Sequence, residues 1–366
     1  MDCVRINRIK IYRYSIPLAL PLQIKNIKLT ERQGFLLALS DADHHTGWGE
    51  IAPLPGLHRE TYTSALKELK ALGHFLLNIH NRYVWQQVEN ILIKKKVLPS
   101  VMFGIESALL NLKAVQNEVL LPTLLQGTYR KQVAVNALLT RNEPDPVSAV
   151  KNLLRQGYKT IKIKVGGKDS KRELDLLRVI AHLVIGRAQL RLDANRSWNL
   201  QQARMFMKEL QDLPIEYIEE PLKDPGQGDK LYSAIPCTLA IDESINVFHK
   251  KWARFPAWIK VLVIKPAVVG GINATLQLIQ KCESQEIDCI ISDTFHSGVG
   301  LSVSTALAAG IIGHRRAMGL DTFKWLSHDL LKKKLRVRRG QIDVNLTARN
   351  GNDIKISHLH ELITIK

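Results

Sequence analysis

The chain has 366 residues, 45% of them apolar and 23% charged, with a formal charge of +18. That composition supplies a sizeable globular core in one large domain or two, and no apolar run reaches the ~18–20 residues that a membrane-spanning helix requires. Cys3, Cys237, Cys282 and Cys289 form no CxxC pair, and the start, "MDCVRINRIKIYRYSIP", lacks the apolar core of a signal peptide, so the expectation is a cytoplasmic protein with reduced thiols.

The excess of 52 basic over 34 acidic residues raises nucleic-acid binding. The only dense runs, "NILIKKKVLPS" and "DLLKKKLRVRRGQ", carry no interleaved aromatics on which bases could stack. They read as solvated helix faces and ends. The expected partner is therefore a small anion drawn by the positive field, with no nucleic acid and no membrane; oligomeric state is left open.

In chain order, residues 4–53 read as a β-meander. "VRINRIKIYRYSIPL" is a first strand, and "GFLLALSDADHHTGWGEIAPL" is a hairpin across an Asp/His/Gly turn. "ETYTSALKELKALGHFLLNI", "VWQQVENILIK" and "PSVMFGIESALLNLKAVQ" follow with apolar residues at helical spacing. Residues 1–130 thus form an α+β region. From residue 132 the rhythm changes to repeated βα units. Strands at "QVAVNALL", "KTIKIKV", "AQLRLDAN", "IEYIEEPL", "TLAIDES", "WIKVLVIKPA" and "IDCIISDT" alternate with helices at 146–156, 171–184, 199–210, near 227–234, near 249–254, at 272–284 and 299–312. About seven such units favour a closed (β/α) barrel over an open sheet. The expectation is an α/β fold: a modified TIM-like barrel over 131–334 with an N-terminal α+β capping domain, the tail 335–366 folding back onto the cap.

Polar residues collect at the ends of these strands: Lys162 and Lys164, Asp193 and Asn195, Glu219 and Glu220, Asp242 and Glu243, Lys265, and Asp293. The step from Lys164 to Asp193 is 29 residues, followed by 26 to Glu219, 23 to Asp242 and 23 to Lys265. Each step is one βα unit, so these side chains are expected around one barrel mouth. Taken singly, Lys162 would be a surface residue, and Asp193 or Asp242 a helix cap. Together, three carboxylates on consecutive strands require a counter-charge. A hard divalent cation suits them, and Mg²⁺ takes oxygen ligands while keeping positions open. No His or Cys lies at these strand ends before His296, which disfavours zinc. A lysine near pKa 10.4 is protonated at neutral pH; a neighbouring ammonium and a metal are expected to lower that value at the second lysine of "KIK" and ready it for proton abstraction.

With these residues in hand, the sequence resembles the enolase superfamily in its muconate-lactonising subgroup, and within it the o-succinylbenzoate synthase family. The resemblance rests on "GWGEIAPLPG" and "PSVMFGIESALL" in the first region, and on "KIKVG", "RLDANRSW", "IEEPL", "IDES", "VIKPAVVGG" and "GLDT" in the second. It implies dehydration of 2-succinyl-6-hydroxy-2,4-cyclohexadiene-1-carboxylate to o-succinylbenzoate in menaquinone biosynthesis, and the Lys base with Mg²⁺ established for enolase-type sites. Carried over, Lys164 is the base, Lys162 assists it, Lys265 faces the other side of the ring, and Asp193, Glu219 and Asp242 hold Mg²⁺, with Mn²⁺ as a substitute. Arg191, Asn195 and Glu243 match positions that line or support the site, and Leu54, Pro55 and Gly56 match the loop that closes over the substrate. Ser297 and Gly298, opening a helix, would offer backbone donors to a substrate carboxylate. The departure is Asp293 and His296 where relatives tend to carry Ser and Glu; His296 is read as structural, with a tuned group behind the site as the alternative. Dipeptide epimerases and N-succinylamino-acid racemases share the metal and base. Epimerases usually carry Asp-x-Asp after strand eight, and "GLDTF" has Asp321 but Phe323. A non-enzymatic anion binder would need none of the clustered carboxylates.

Overall fold

The computed structural model describes residues 6–24, 26–78, 85–141, 143–167, 169–235, 237–245, 254–313 and 315–366. Strands β1 (Arg8–Ile24), β2 (Ile27–Ser40) and β3 (Thr46–Ile51) form the expected antiparallel meander. The turn between β2 and β3 is closed by Asp41, which accepts from the His45 backbone N–H at 2.9 Å. Helices α1 (Tyr62–Leu77), α2 (Trp85–Lys94), α3 (Pro99–Gln116) and α4 (Leu121–Gln126) follow. α1 starts at Thr61, whose side chain and that of Ser64 cap each other's backbone N–H. α3 is almost wholly buried because it lies directly on β3. Gly47 and Gly49 permit this approach, since a Cβ at either would overlap the α3 backbone.

The second region begins with β4 (Gln132–Ala134) and β5 (Ala137–Leu139). It continues through α5 (Pro146–Arg155), β6 (Thr160–Lys164), α6 (Ser170–Val184), β7 (Gln189–Asp193), α7 (Leu200–Lys208) and β8 (Ile215–Glu219). Then come α8 (Gly228–Tyr232), β9 (Leu239–Ile241), β10 (Ile259–Ile264), α9 (Pro266–Val269), α10 (Ile272–Glu283), β11 (Asp288–Ile291) and α11 (Gly298–Ala309). The helix expected near 249–254 falls almost entirely outside the described residues. β5 to β11 pair in sequence order as a parallel sheet of seven strands. Val, Ile and Leu from their faces fill the core, as in sheets buried on both sides.

An eighth, very short segment closes the ring and has no counterpart among the strands read from the pattern. Met318 N–H donates to Ala134 O at 2.7 Å, and Asn136 N–H returns to Met318 O at 2.9 Å. On its other side Gly319 N–H donates to Ile291 O at 2.9 Å. Two bridging residues are too few to show alternation.

The tail divides between the two regions. β12 (Gln341–Asp343) pairs with β4, and α12 (Val344–Asn350) packs against α11. β13 (His360–Ile365) instead joins the first sheet, which has the order β13-β1-β2-β3. Among the described residues, no helix is long and apolar enough to cross a membrane.

Candidate active site

Strand register sets the site. Lys164 on β6 is level with Asp193 on β7, which is level with Glu219 on β8. One layer down, Lys162, Arg191 and Tyr217 form a second row. Because side chains two apart on a strand share a face, both rows point into the barrel. Asp242 follows β9 by one residue and Lys265 follows β10 by one, so the carboxylates and lysines ring the C-terminal mouth.

The contacts are tight. Lys162 Nζ donates to Glu219 Oε1 at 2.7 Å and Oε2 at 2.8 Å, and lies 2.8 Å from Asp193 Oδ2. Lys164 Nζ donates to Asp193 Oδ2 at 2.7 Å and to Asn195 Oδ1 at 2.6 Å. Asn195 Nδ2 then donates to Glu243 Oε1 at 3.0 Å. Lys265 Nζ pairs with Asp242 Oδ2. Lys164 is the most open of the three lysines, with its side chain 32% exposed against 16% for Lys162 and 13% for Lys265. It is the lysine nitrogen that a molecule entering the mouth can reach.

Glu220 braces this ring from behind. Its carboxylate accepts from the backbone N–H groups of Asp242 and Ser244, both at 2.7 Å, and from the Ser244 hydroxyl at 2.6 Å. Asn195 (φ +44°), Arg196 (+60°), Glu220 (+46°) and Phe295 (+58°) all hold left-handed backbone just past strand ends. Such strain concentrates where a fold must aim side chains.

Four carboxyl groups, Asp193, Glu219, Asp242 and Glu243, crowd against three lysines, and Glu243 Oε2 is buried without a hydrogen-bond partner. Burial, with the charges of Asp193 and Asp242, pushes the Glu219 carboxyl up to about 8. Burial also works against ionisation of Asp193, but Lys162 and Lys164 outweigh it and hold that carboxyl below the usual range. The two acids that share Lys162 therefore move oppositely: Asp193 accepts from two lysines, whereas Glu219 also feels the charges of Asp193 and Asp242. An all-oxygen set whose carboxyl groups crowd one another fits a hard divalent cation.

Lys162 itself stays charged. Burial disfavours its ammonium, but Asp193 and Glu219 outweigh burial and hold its pKa well above the ordinary lysine value. Lys265 is raised in the same way by Asp242 and Glu219 against burial.

Arg191 takes the supporting one of its two expected roles, fully buried in the lower row. Its guanidinium donates to Glu216 Oε2 at 2.7 Å, Ala317 O at 2.7 Å and Asn136 Oδ1 at 3.2 Å, and covers the Tyr217 ring at 4.7 Å. Ser297 and Gly298 are not free donors. Ser297 N–H donates to Glu50 Oε1 at 3.0 Å, and Gly298 N–H to Asp329 Oδ1 at 2.8 Å. Carboxylates of the protein itself already fill the N-terminus of α11.

His296 is buried, with Nδ1 2.7 Å from Asp293 Oδ1 and its ring stacked on Phe103 at 5.3 Å. Burial opposes its protonation, but Asp293 outweighs burial and raises its pKa. Leu54 is buried, and its N–H donates to His58 Nδ1 at 2.9 Å. Gly56 (φ +84°) lies beside the end of the β1–β2 hairpin, near Ile24 and Ile27, and Pro55 before it is exposed. Asp321 accepts from Tyr158 Oη at 2.7 Å and Lys324 Nζ at 2.6 Å.

Sequence reasoning missed Glu50 and Arg32. Glu50 is fully buried and also accepts from the Ser297 hydroxyl at 2.7 Å, Gly300 N–H at 2.8 Å and Tyr14 Oη. Arg32 donates to Thr294 O and Phe295 O, each at 3.2 Å, and to Pro53 O at 3.0 Å. The signal for Glu50 was a lone charge inside an apolar strand, "GWGEI", whereas Arg32 stands beside Glu31 in "ERQGFLLALS" and gave none.

Comparison with known proteins covers both regions. Residues 146–355 match the family described as enolase C-terminal domain-like, and residues 6–112 match the MenC N-terminal domain. An o-succinylbenzoate synthase of Pasteurella multocida is 31% identical over 89% of this chain and 92% of its own. One of Yersinia enterocolitica is 32% identical over 88% and 92%. Among solved structures, a dipeptide epimerase of Enterococcus faecalis, complexed with Mg and the dipeptide L-Leu-L-Tyr, superposes with a TM-score of 0.82. It shares 22% identity over 93% of this chain and 97% of its own.

Proposed function

The chain belongs to the o-succinylbenzoate synthase family of the enolase superfamily, and we propose that its mouth removes water from 2-succinyl-6-hydroxy-2,4-cyclohexadiene-1-carboxylate with Lys164 as the base. The observation that carries this assignment is the exposure of Lys164 beside a carboxylate ring whose other two lysines are enclosed. Asp193, Glu219 and Asp242 would hold Mg²⁺, and Mn²⁺ would serve in its place. When bound, the metal supplies positive charge against which a substrate carboxylate gathers electron density as the adjacent proton leaves.

The remaining steps belong to the chain. Lys164 Nζ, acting as the neutral amine and steered by Asn195 and Asp193, takes the proton from the ring carbon that bears the carboxylate. The electron pair left on the ring expels the hydroxyl from the neighbouring carbon. The ammonium formed on Lys164 returns the proton to that hydroxyl, so water departs, the ring becomes aromatic and the lysine is restored. Lys162 keeps Glu219 and Asp193 in register beneath Lys164. Lys265, on the other side of the mouth, offsets the anionic charge of the intermediate. The ligand is thus a small carboxylate. Free thiols at Cys237, Cys282 and Cys289 are consistent with a cytoplasmic setting, while Cys3 lies outside the described residues.

The epimerase alternative is weakened at Asp321. That carboxylate is spent on Tyr158 and Lys324, and Phe323 is buried where a second Asp would be needed. The test is an assay of purified protein with the cyclohexadiene beside dipeptides and N-succinylamino acids. Aromatisation is expected, lost with EDTA and restored by Mg²⁺ or Mn²⁺. Epimerisation or racemisation without aromatisation would overturn the reading.

A further inference from the structure

Lys265 opens a short segment that the capping region grips at several points. From Lys265 the chain turns through α9, passes Gly270 and Gly271, and enters α10. Neither α9 nor α10 has a side-chain cap of its own. The partners come from the other region. His58 Nε2–H donates to Ala267 O at 3.1 Å while its Nδ1 accepts from Leu54 N–H at 2.9 Å. These two partners require the neutral ring with its proton on Nε2. Glu106, on α3, is 1% exposed, and its Oε2 accepts from Ile272 N–H and, at 3.3 Å, from Asn273 N–H. The Asn273 side chain donates in turn to Glu89 on α2. Gly271 (φ +106°) lies so close that a Cβ there would overlap Glu106 Oε2. Ala267 and Ile272 also share one apolar cluster with Phe103 and Leu110 of α3.

A carboxyl oxygen that accepts from unpaired N–H groups at a helix start is an N-cap. Here the cap is supplied across a domain boundary, at the helix that leads away from Lys265. We infer that Glu106 and His58 are positioning residues for Lys265, so that the capping region sets where this ammonium stands over the mouth. The inference rests on the assignment of Lys265 to the dehydration site. Its logic is geometric: the tip of a lysine stem follows its Cα, and a shift of about 1 Å in a reacting group costs on the order of 100-fold in rate. Glu106 touches neither substrate nor metal ligands, so its effect has to travel through residues 265–273.

Three variants in the metal-loaded protein test this, with Lys265→Ala as the reference. Glu106→Leu is expected to lower kcat at least 10-fold while KM changes less than 3-fold. Glu106→Gln keeps an acceptor oxygen and is expected to restore most of the rate. His58→Phe is expected to fall between them. Amide hydrogen exchange should quicken over 265–273 in Glu106→Leu and stay unchanged over 160–164 and 189–193. An unchanged kcat in Glu106→Leu, or faster exchange spread evenly through the barrel, would overturn the positioning role. If Lys265→Ala itself keeps full turnover, the failure lies with the site assignment. A Glu106→Leu chain that does not fold leaves Glu106→Gln and His58→Phe to decide: wild-type exchange over 265–273 in His58→Phe would also overturn it.

Discussion

The two sides of the barrel mouth are held by different parts of the molecule. On the side of β6 to β9, Lys162, Lys164, Asp193, Glu219 and Asp242 rest on groups of the barrel itself. Lys162 ties two strands, Arg191 ties the row beneath, and Glu220 fixes the turn at Asp242. On the side of β10 and β11, support descends from the capping region. Glu106 and His58 hold the segment after Lys265, and Glu50 and Arg32 hold the segment after β11. The side proposed to hold base and metal is therefore built by the barrel itself. The opposite side takes its geometry from the capping region, so a changed cap can alter one side and leave the other intact.

The sharpest break in this comparison is expected on the barrel side. Lys164→Ala should lower kcat by about 10²–10⁴-fold, the usual worth of a positioned proton carrier. Mg²⁺ affinity measured by titration should survive, because all three carboxylates remain. Substantial turnover by this variant would remove Lys164 as the base. Next in size is the support beneath it. Arg191→Met leaves Glu216 with only Arg316 and strips Asn136 and the Ala317 carbonyl of a donor. Breaking such a buried charged network costs about 3–5 kcal/mol, to be read as a lower urea midpoint. Unchanged stability would mean that the lower row is not a brace.

Much of the barrel side was legible in the sequence, for a physical reason. A βα pitch of 23–29 residues brings strand ends to one circle, and strand alternation decides which residues point inward. Arg191 shows the limit of that reasoning. It shares a face with Asp193, but two residues earlier means one layer deeper, so it braces the site from below. The capping side was far less legible. No local pattern states that Glu50 and Glu106 reach the N-termini of helices that begin 247 and 166 residues away. Ser297 and Gly298 were read as free donors for the same reason, since the carboxylates that fill that helix start are distant in sequence. Strand eight came only with the family resemblance, because two bridging residues leave no periodicity to detect.

On the capping side a mutation should be milder and should spare the metal. Glu50→Ala leaves Ser297 N–H and Gly300 N–H without acceptors in a buried place. Each orphaned group costs about 1–3 kcal/mol, and relaxation of α11 recovers part of that, so a loss of about 2–3 kcal/mol is expected in urea unfolding. Mg²⁺ affinity should stay within 3-fold of wild type. A large drop in affinity would show that the two sides are not mechanically separate.

The smallest effect separates the sides by pH. Burial, with the nearby charge of Glu89, pushes the Glu106 carboxyl up to about 8, whereas an ordinary glutamate stands at 4.5. Between these values the unfolded chain has released this proton and the folded chain still holds it. The folded state binds more protons there, so the Glu106 contribution to stability falls as pH rises from 4.5 to about 8 and is flat above. The slope is at most about 1.4 kcal/mol per pH unit, and less where water reaches the site. Glu106→Gln removes the ionisation while keeping an acceptor for Ile272 and Asn273. Its stability relative to wild type should therefore improve steadily between pH 5 and 8, in parallel urea titrations at constant ionic strength. A difference that does not change with pH would mean that Glu106 is ionised in the folded protein, and the grip on the Lys265 segment would then be an ion held at a helix terminus.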